Sequence, residues 1–93
     1  ADHKILIRDI ESIEGKKDYV KLQLESNSYL VRKNLKTFLS QLPSSKFIRI
    51  SKSVAINLDK ISKIEKNIVF LNKGSYHVIS KTYIKDISEL FIK

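Results

Sequence analysis

Apolar and polar residues alternate through the first third of the chain, which is the pattern of β-strands with one buried face. The segments that show it are residues 5–7, 10–13, 20–24 and 29–32. Polar residues at 15–18 and 26–28 interrupt the alternation, and such clusters are typical of loops and turns. The pattern predicts short strands joined by tight connections, with 20–24 and 29–32 as a hairpin.

The period then changes from two to three or four, which indicates a helix with one apolar face. The residues that form this face are Leu35, Phe38, Leu39 and Leu42. Asn34 precedes the first of them and is a favourable N-cap, because its side-chain oxygen can accept a backbone N–H of the first turn. Pro43 ends the helix, since the residue before a proline avoids the α region.

Strand-like patterns return in the second half, at residues 47–50, 54–56, 61–64, 68–71 and 76–80. The continuous apolar run 68–71 predicts a strand buried on both faces. The turn signal at 72–74 follows it, and a last apolar stripe predicts a C-terminal helix: Ile84, Ile87, Leu90 and Phe91. The expected fold class is mostly β, a β-rich α+β arrangement. It is an elongated set of about eight short antiparallel strands with one mid-chain helix and a C-terminal helix.

Length and charge narrow the function. The 93 residues suffice for a single domain spanning residues 1–93. The 18 basic and 10 acidic side chains give a net charge of +8, which suits a polyanionic partner such as nucleic acid. The many lysines are also what an AT-rich genome would produce. No apolar run approaches the length of a membrane helix, so we expect no membrane partner and a cytoplasmic location.

An enzyme is not expected. The chain has no cysteine, and its two histidines, His3 and His77, lack the spacing of metal ligands. It contains no glycine-rich phosphate loop and no nucleophile elbow. Glu11 and Glu14 are interpreted as solvated positions beside apolar neighbours. We therefore expect no catalytic residue, no metal and no cofactor.

Residues 47–61 carry the most information. Apolar strand positions flank the polar segment Ser51–Lys52–Ser53, which could simply be a solvated turn. However, this turn contains no Gly, Pro or Asp, and it combines hydroxyl groups with cations. Hydroxyls and ammonium groups at the end of a strand are suitable donors to phosphate oxygens.

The chain resembles the LytTR family of bacterial DNA-binding domains. The family has a segment of the form Phe-x-Arg-x-His-(Lys/Arg)-Ser-x-x-x-Asn-x-x-x-Ile, and the residues that match it are Phe47, Arg49, Lys52, Ser53, Asn57 and Ile61. Three further pieces match in order and spacing, at residues 10–21, 29–43 and 80–83. The resemblance extends from Ile5 to Phe91. It is specific because four separate pieces match in the same order and at the same spacing.

The resemblance implies an elongated β fold and a transcription factor, usually a response regulator whose N-terminal receiver domain would make this chain a C-terminal fragment. It implies that loops enter the major groove and that two copies occupy repeated DNA sites, although the domain is expected to be a monomer alone. Ser51 and Lys81 depart from the family's usual histidine and arginine. Lysine can reach guanine O6 or N7 but lacks the two-pronged geometry of arginine.

Three loops are expected to contact DNA. The resemblance assigns base contacts to Lys52, Lys81 and Asp18. It assigns contacts with phosphate to Lys16, Lys17, Arg49, Ser51, Ser53 and Ser80. For the first loop, a solvated turn is an equally good interpretation. The same holds for Arg32, Lys33 and Lys36, which could hold the DNA backbone electrostatically.

Two other functions stay open. Tyrosines among basic residues would suit a module that stacks single-stranded nucleic acid, but Tyr76 and Tyr83 are expected in the core or at its edge. A protein-interaction module without a nucleic-acid role is the third possibility. The net charge and the basic loops argue against it.

Overall fold

The computed structural model describes residues 4–89, and these form two antiparallel sheets and two helices. The first sheet has five strands: β1 Ser12–Gly15, β2 Val20–Gln23, β3 Ser28–Val31, β4 Phe47–Arg49 and β5 Val54–Asn57. The second sheet has three: β6 Ile61–Glu65, β7 Ile68–Leu71 and β8 Tyr76–Val78. The helices are α1 Leu35–Ser40 and α2 Lys81–Ser88.

The strand order in the first sheet is β3-β2-β1-β5-β4, and in the second sheet it is β6-β7-β8. Every pairing is antiparallel. The principal extents are 45 × 24 × 20 Å, so the domain is about twice as long as it is wide. The mostly β fold class with a mid-chain and a C-terminal helix is confirmed.

The alternation located most strands to within one or two residues, but the first one was wrong. Residues 7–9 form a 3₁₀ turn, in which the N–H of Ile10 donates to the carbonyl of Ile7 at 3.1 Å. Leu6 and Ile7 are both exposed, so no sheet face buries their side chains. The predicted positions Leu90 and Phe91 of the last helix lie outside the described residues.

Helix α1 begins as predicted, because Asn34 Oδ1 accepts the N–H of Thr37 at 2.8 Å. The helix packs closely on the end of β1. A Cβ at Gly15 would lie 2.9 Å from Cβ of Leu35, so a larger residue there would force strand and helix apart.

Two apolar clusters use opposite faces of the first sheet. One cluster lies between this sheet and α1, and its buried members are Ile10, Ile13, Val20, Leu22 and Leu35. The other joins the first sheet to the second sheet and α2, and its buried members are Ile50, Ile56, Val69, Leu71, Ile79 and Ile87. Tyr83 packs against this second cluster, as predicted.

The second sheet has one buried face, so the prediction of a strand buried on both faces was wrong. Val69 and Leu71 of β7 are buried, whereas Ile68 and Phe70 are half-buried. The Phe70 ring is covered by Tyr76, at a ring-centroid distance of 6.2 Å, and by Lys63 Nζ at 5.0 Å. Tyr76 is itself 62% exposed, because strand β8 turns His77 inward, and its expected core position was wrong.

Candidate nucleic-acid interface

One end of the first sheet collects the loops that the sequence singled out. Antiparallel pairing aligns Gly15 with Val20 and Val20 with Val31, and it aligns Glu14 with Val54. The connections at 16–19, 32–34 and 50–53 therefore leave the sheet on the same side. We refer to these three connections, together with Ser80 and Lys81, as the loop end.

Backbone hydrogen bonds join the three predicted loops to one another. The N–H of Gly15 donates to the carbonyl of Ser53 at 2.6 Å, which connects the first loop to the middle one. The N–H of Ser80 donates to the carbonyl of Ile50 at 2.7 Å, which connects the third loop to the middle one. The middle loop, residues 51–53, is thus held on both sides by main-chain contacts that do not depend on side-chain identity.

The middle loop presents Lys52 outward. Its turn is closed by the N–H of Ile50, which donates to the carbonyl of Val54 at 2.9 Å, and by the N–H of Ser53, which donates to Ser51 Oγ at 3.2 Å. Lys52 is exposed, and within residues 4–89 its ammonium group has no partner. The loop is therefore a shaped main chain that carries an uncommitted cation.

Arg49 is placed differently from the other predicted site residues. It is half-buried, and its Nη2 donates to the carbonyl of Lys52. Its Nε is buried and has no hydrogen-bond partner within the described part of the chain. Because the guanidinium is engaged by the middle loop, it braces the main chain from which Lys52 projects.

The first loop is closed by the N–H of Lys16, which donates to the carbonyl of Tyr19 at 2.8 Å. Lys16 Nζ lies 3.3 Å from Glu14 Oε2, so this cation is already paired. Lys17 and Asp18 are exposed and, among residues 4–89, have no side-chain partner. Asp18 and Tyr19 line a shallow hollow of about 350 Å³ together with residues of β3 and its C-terminal end.

The third loop leads directly into α2. Ser80 is half-buried, and its Oγ lies 3.4 Å from Oγ1 of Thr82. Lys81 is the first residue of α2 and is exposed. The structure thus brings all the residues predicted to contact DNA to one end of the first sheet, including residues from segments more than sixty positions apart in the sequence.

A model of the LytTr DNA-binding domain family matches residues 2–92. The chain belongs to this family. Its fold is similar to that of a solved LytTr DNA-binding domain from Bacillus cereus, described as part of a methyl-accepting/DNA response regulator. The TM-score is 0.84 at 20% identity, over 92% of this chain and 84% of that one. No curated protein matches it.

Membership makes this chain a DNA-binding domain, which agrees with the basic composition and with the resemblance found in the sequence. The matched family is one of DNA-binding domains and is not a known enzyme family. Between residues 4 and 89, no helix is long and apolar enough to cross a membrane, and no three or more acidic, histidine or cysteine side chains are grouped so as to hold a metal ion.

A residue that the sequence analysis missed lies beside the loop end. Lys66 lies in the β6–β7 turn with φ of 56° and is exposed. The N–H of Ile79 donates to the carbonyl of Asn67 at 2.7 Å, which ties this turn to the residue before Ser80. The sequence signal that could have identified Lys66 is a cation in the two-residue connection between two apolar strands.

The same surface therefore carries cations from five separate connections or element ends. They are Lys16, Lys17, Arg32, Lys33, Arg49, Lys52, Lys66 and Lys81. Lys33 Nζ donates to Gln41 Oε1 at 2.6 Å, so it is held close to α1. The acidic residues nearest to these cations in the sequence are Glu14, Asp18 and Glu65, of which Glu14 is paired with Lys16 and Glu65 with Lys63, so cations outnumber acids here.

Proposed function

We propose that this LytTr domain recognises a specific duplex DNA sequence and thereby regulates transcription, with its loop end in the major groove. The observation that carries the proposal is the joining of three loops by two main-chain hydrogen bonds, Gly15 to Ser53 and Ser80 to Ile50. A surface held by main-chain hydrogen bonds keeps its shape when its side chains are substituted. A DNA-binding domain can then present different side chains to different DNA sequences from the same loop positions. A cytoplasmic location, where the DNA is, follows from the same proposal.

Lys52 and Lys81 are proposed to reach base edges, since both are exposed and the loops that carry them are joined by the bond from Ser80 N–H to the Ile50 carbonyl. Asp18 is proposed as a third base contact, because a carboxylate can accept from cytosine N4. It lies at the flank of the loop end, next to Arg32, where the duplex would continue.

The remaining contacts are proposed to go to phosphate. Ser51 Oγ accepts from the backbone N–H of Ser53, which leaves the hydroxyl hydrogen of Ser51 to donate to a phosphate oxygen. Ser53 and Ser80 supply further hydroxyls, and Lys16, Lys17 and Lys66 supply charge. Arg49 Nη2 already donates to the carbonyl of Lys52. Arg49 is therefore proposed to contact phosphate only through guanidinium N–H groups that this bond does not use.

The experiment is a salt series of affinities for duplex and single-stranded DNA of the same sequence. Each neutralised phosphate contributes roughly −0.9 to the slope of log K against log salt on B-DNA. About five to eight contacts predict a slope near −5 to −7 and tighter binding to the duplex. Equal or tighter binding to single strands would favour the stacking function instead, although Tyr76 lies away from the loop end.

We further propose that the domain is monomeric alone and binds repeated sites as two copies, with a receiver domain supplying regulation in the intact protein. One domain with three short loops touches few bases, and two domains about one helical turn apart would add their contacts. Light scattering of the free chain and titration onto a two-site duplex test this. Inserting about 5 base pairs should abolish cooperativity while leaving single-site affinity intact.

A further inference from the structure

A cleft of about 460 Å³ lies between the two sheets, beside the second apolar cluster, whose member Leu71 is part of its lining. The second sheet packs over β4 and β5 of the first, and β1 and β2 keep a polar face toward the cleft. Pairing of Ser12 with Gln23 and of Glu14 with Lys21 places these four side chains on that face. Strand β8 forms the opposite wall with Tyr76 and His77.

Glu11 is the unusual residue of this cleft. It was expected to be solvated, yet it is only 9% exposed and lines the cleft. Its main chain is engaged, since its N–H donates to the carbonyl of Gln23 at 2.8 Å and its carbonyl accepts from the N–H of Asn57 at 3.0 Å. Its carboxylate has no hydrogen bond or ion pair within residues 4–89. A carboxylate that has no donor within the fold and still reaches the cleft is available to a cation that enters from solvent.

The groups near Glu11 present acceptors. Gln23 Nε2 donates to the carbonyl of Leu24 at 2.9 Å, so its free group in the cleft is the oxygen Oε1. Burial lowers the pKa of His77 below its ordinary value of 6.5, against the opposing attraction of Glu14 and Glu11. The ring is therefore neutral at pH 7 and offers one nitrogen as an acceptor.

The cations of the cleft do not neutralise Glu11. Lys73 Nζ lies 3.6 Å from Glu25 Oε2 at the rim, and Glu14 is paired with Lys16. Lys21 lines the cleft without a partner in the described residues, and it is the cation that would compete for the same carboxylate. Leu24, Val54 and Leu71 add apolar lining beside these polar groups.

We propose that this cleft binds a small organic cation, a primary ammonium or guanidinium group on a short apolar chain, which donates to the Glu11 carboxylate. Gln23 Oε1 and the acceptor nitrogen of His77 line the same cleft and are proposed to accept the remaining N–H donors of this group. The apolar chain would lie along Leu24 and Leu71. Glu11, Gln23 and His77 lie outside the loop end, although the cleft also contains Glu14, the partner of Lys16.

The test uses agmatine, which carries both kinds of cation, titrated into the 93-residue chain at constant ionic strength and followed by backbone amide NMR. Saturable shifts are expected at residues 11–12, 21–24 and 75–77. Glu11→Gln keeps the shape of the side chain and should weaken binding about tenfold or more. Lys21→Gln should tighten binding, because it removes the competing ammonium.

Two controls make the result decisive. Glu65→Gln removes a carboxylate that is paired with Lys63 outside the cleft and should leave the agmatine affinity unchanged. 1,4-Butanediol, an uncharged molecule with the same four-carbon chain, should not bind. In the wild-type chain, bound agmatine should lower the pKa of His77 further, since a neighbouring cation disfavours the imidazolium. Equal affinities of wild type and Glu11→Gln, or an unchanged His77 pKa at saturation, would overturn the proposal.

Discussion

The two ends of the five-stranded sheet differ in what their polar side chains do. At the end opposite the loops, Asn57 is 1% exposed; its Nδ2 donates to the carbonyl of Ile10 at 2.8 Å and its Oδ1 accepts from the N–H of Asp59 at 2.9 Å. Nearby, Lys46 is paired with Asp59 at 3.1 Å. At the loop end, Lys17, Lys52 and Lys81 extend into solvent without such partners.

The difference separates stability from recognition. Side chains that are already hydrogen-bonded in the fold stabilise it but have little left to offer a ligand. Side chains without partners contribute little to folding and keep their donors for DNA. At the loop end the main chain, unlike these side chains, is hydrogen-bonded within the fold. It therefore fixes the positions from which the unpaired side chains project.

The largest effect on stability is expected at the end of the sheet opposite the loops, where Asn57 is buried. Asn57→Ala would leave the buried carbonyl of Ile10 and the N–H of Asp59 without partners, so the free energy of unfolding should fall by about 2–3 kcal/mol. Urea unfolding monitored by circular dichroism measures it. DNA affinity at a temperature where the variant is folded should change little. A stable variant with lost DNA affinity would break the separation of the two ends.

Next in size are the proposed base contacts. Lys52→Ala and Lys81→Ala should each weaken binding to the cognate site by about 1–3 kcal/mol and reduce its advantage over random DNA. Thermal stability should stay unchanged, since neither ammonium group has a partner within the described residues.

Lys46→Ala is the matched control at the opposite end and should leave DNA binding nearly unaltered. Competition binding with labelled cognate and unlabelled random duplex gives both quantities. If both loop-end variants lose affinity equally for all sequences, the lysines are phosphate contacts and not base contacts.

A smaller gain is expected at Glu14. This carboxylate holds Lys16 Nζ at 3.3 Å, with both side chains 43% exposed. Glu14→Gln should release Lys16 toward phosphate and tighten DNA binding by about 0.3–1 kcal/mol at low salt, as expected for a surface ion pair. The gain should vanish in Lys16→Gln/Glu14→Gln, and a gain that persists there would show that the pair does not restrain the loop.

The smallest effect concerns pH. Because burial lowers the pKa of His77 in the folded state, the unfolded chain binds more protons just below pH 6.5. Stability should therefore fall as the pH drops from 6.5 through the lowered folded pKa, and the loss should stop below it. His77→Gln should remove this part of the pH dependence in urea unfolding. An unchanged slope would mean that another group titrates there.

Local patterns predicted much of the fold, because strand alternation and capping act over a few residues. The hairpin around 26–28, the Asn34 cap and the turn at 72–74 followed from such signals. Ile5 and Ile7 show the same alternation but have no neighbouring strand to pair with. Whether an alternating segment becomes a strand depends on tertiary pairing, which the local pattern does not show. Tyr76 and Glu11 were misplaced for a related reason, since the cleft between the sheets decides their exposure.

The candidate site was predictable as a set of residues but not as a surface. The resemblance named the loops, whereas their contact depends on antiparallel register and on two long-range hydrogen bonds. Arg49 matched the family pattern as a cation, yet its bond to the Lys52 carbonyl depends on the turn geometry. Lys66 joined the surface only because the second sheet brings its turn beside Ile79.

The central claim is that the loop end contacts duplex DNA. Backbone amide NMR of the chain during titration with its cognate duplex tests it most directly. Shifts and line broadening are predicted at residues 16–18, 51–53, 66–67 and 80–81, with residues 25–27 and 57–59 at the opposite end unaffected. Perturbations centred on the opposite end, or on the cleft around Glu11, with a silent loop end would contradict the account.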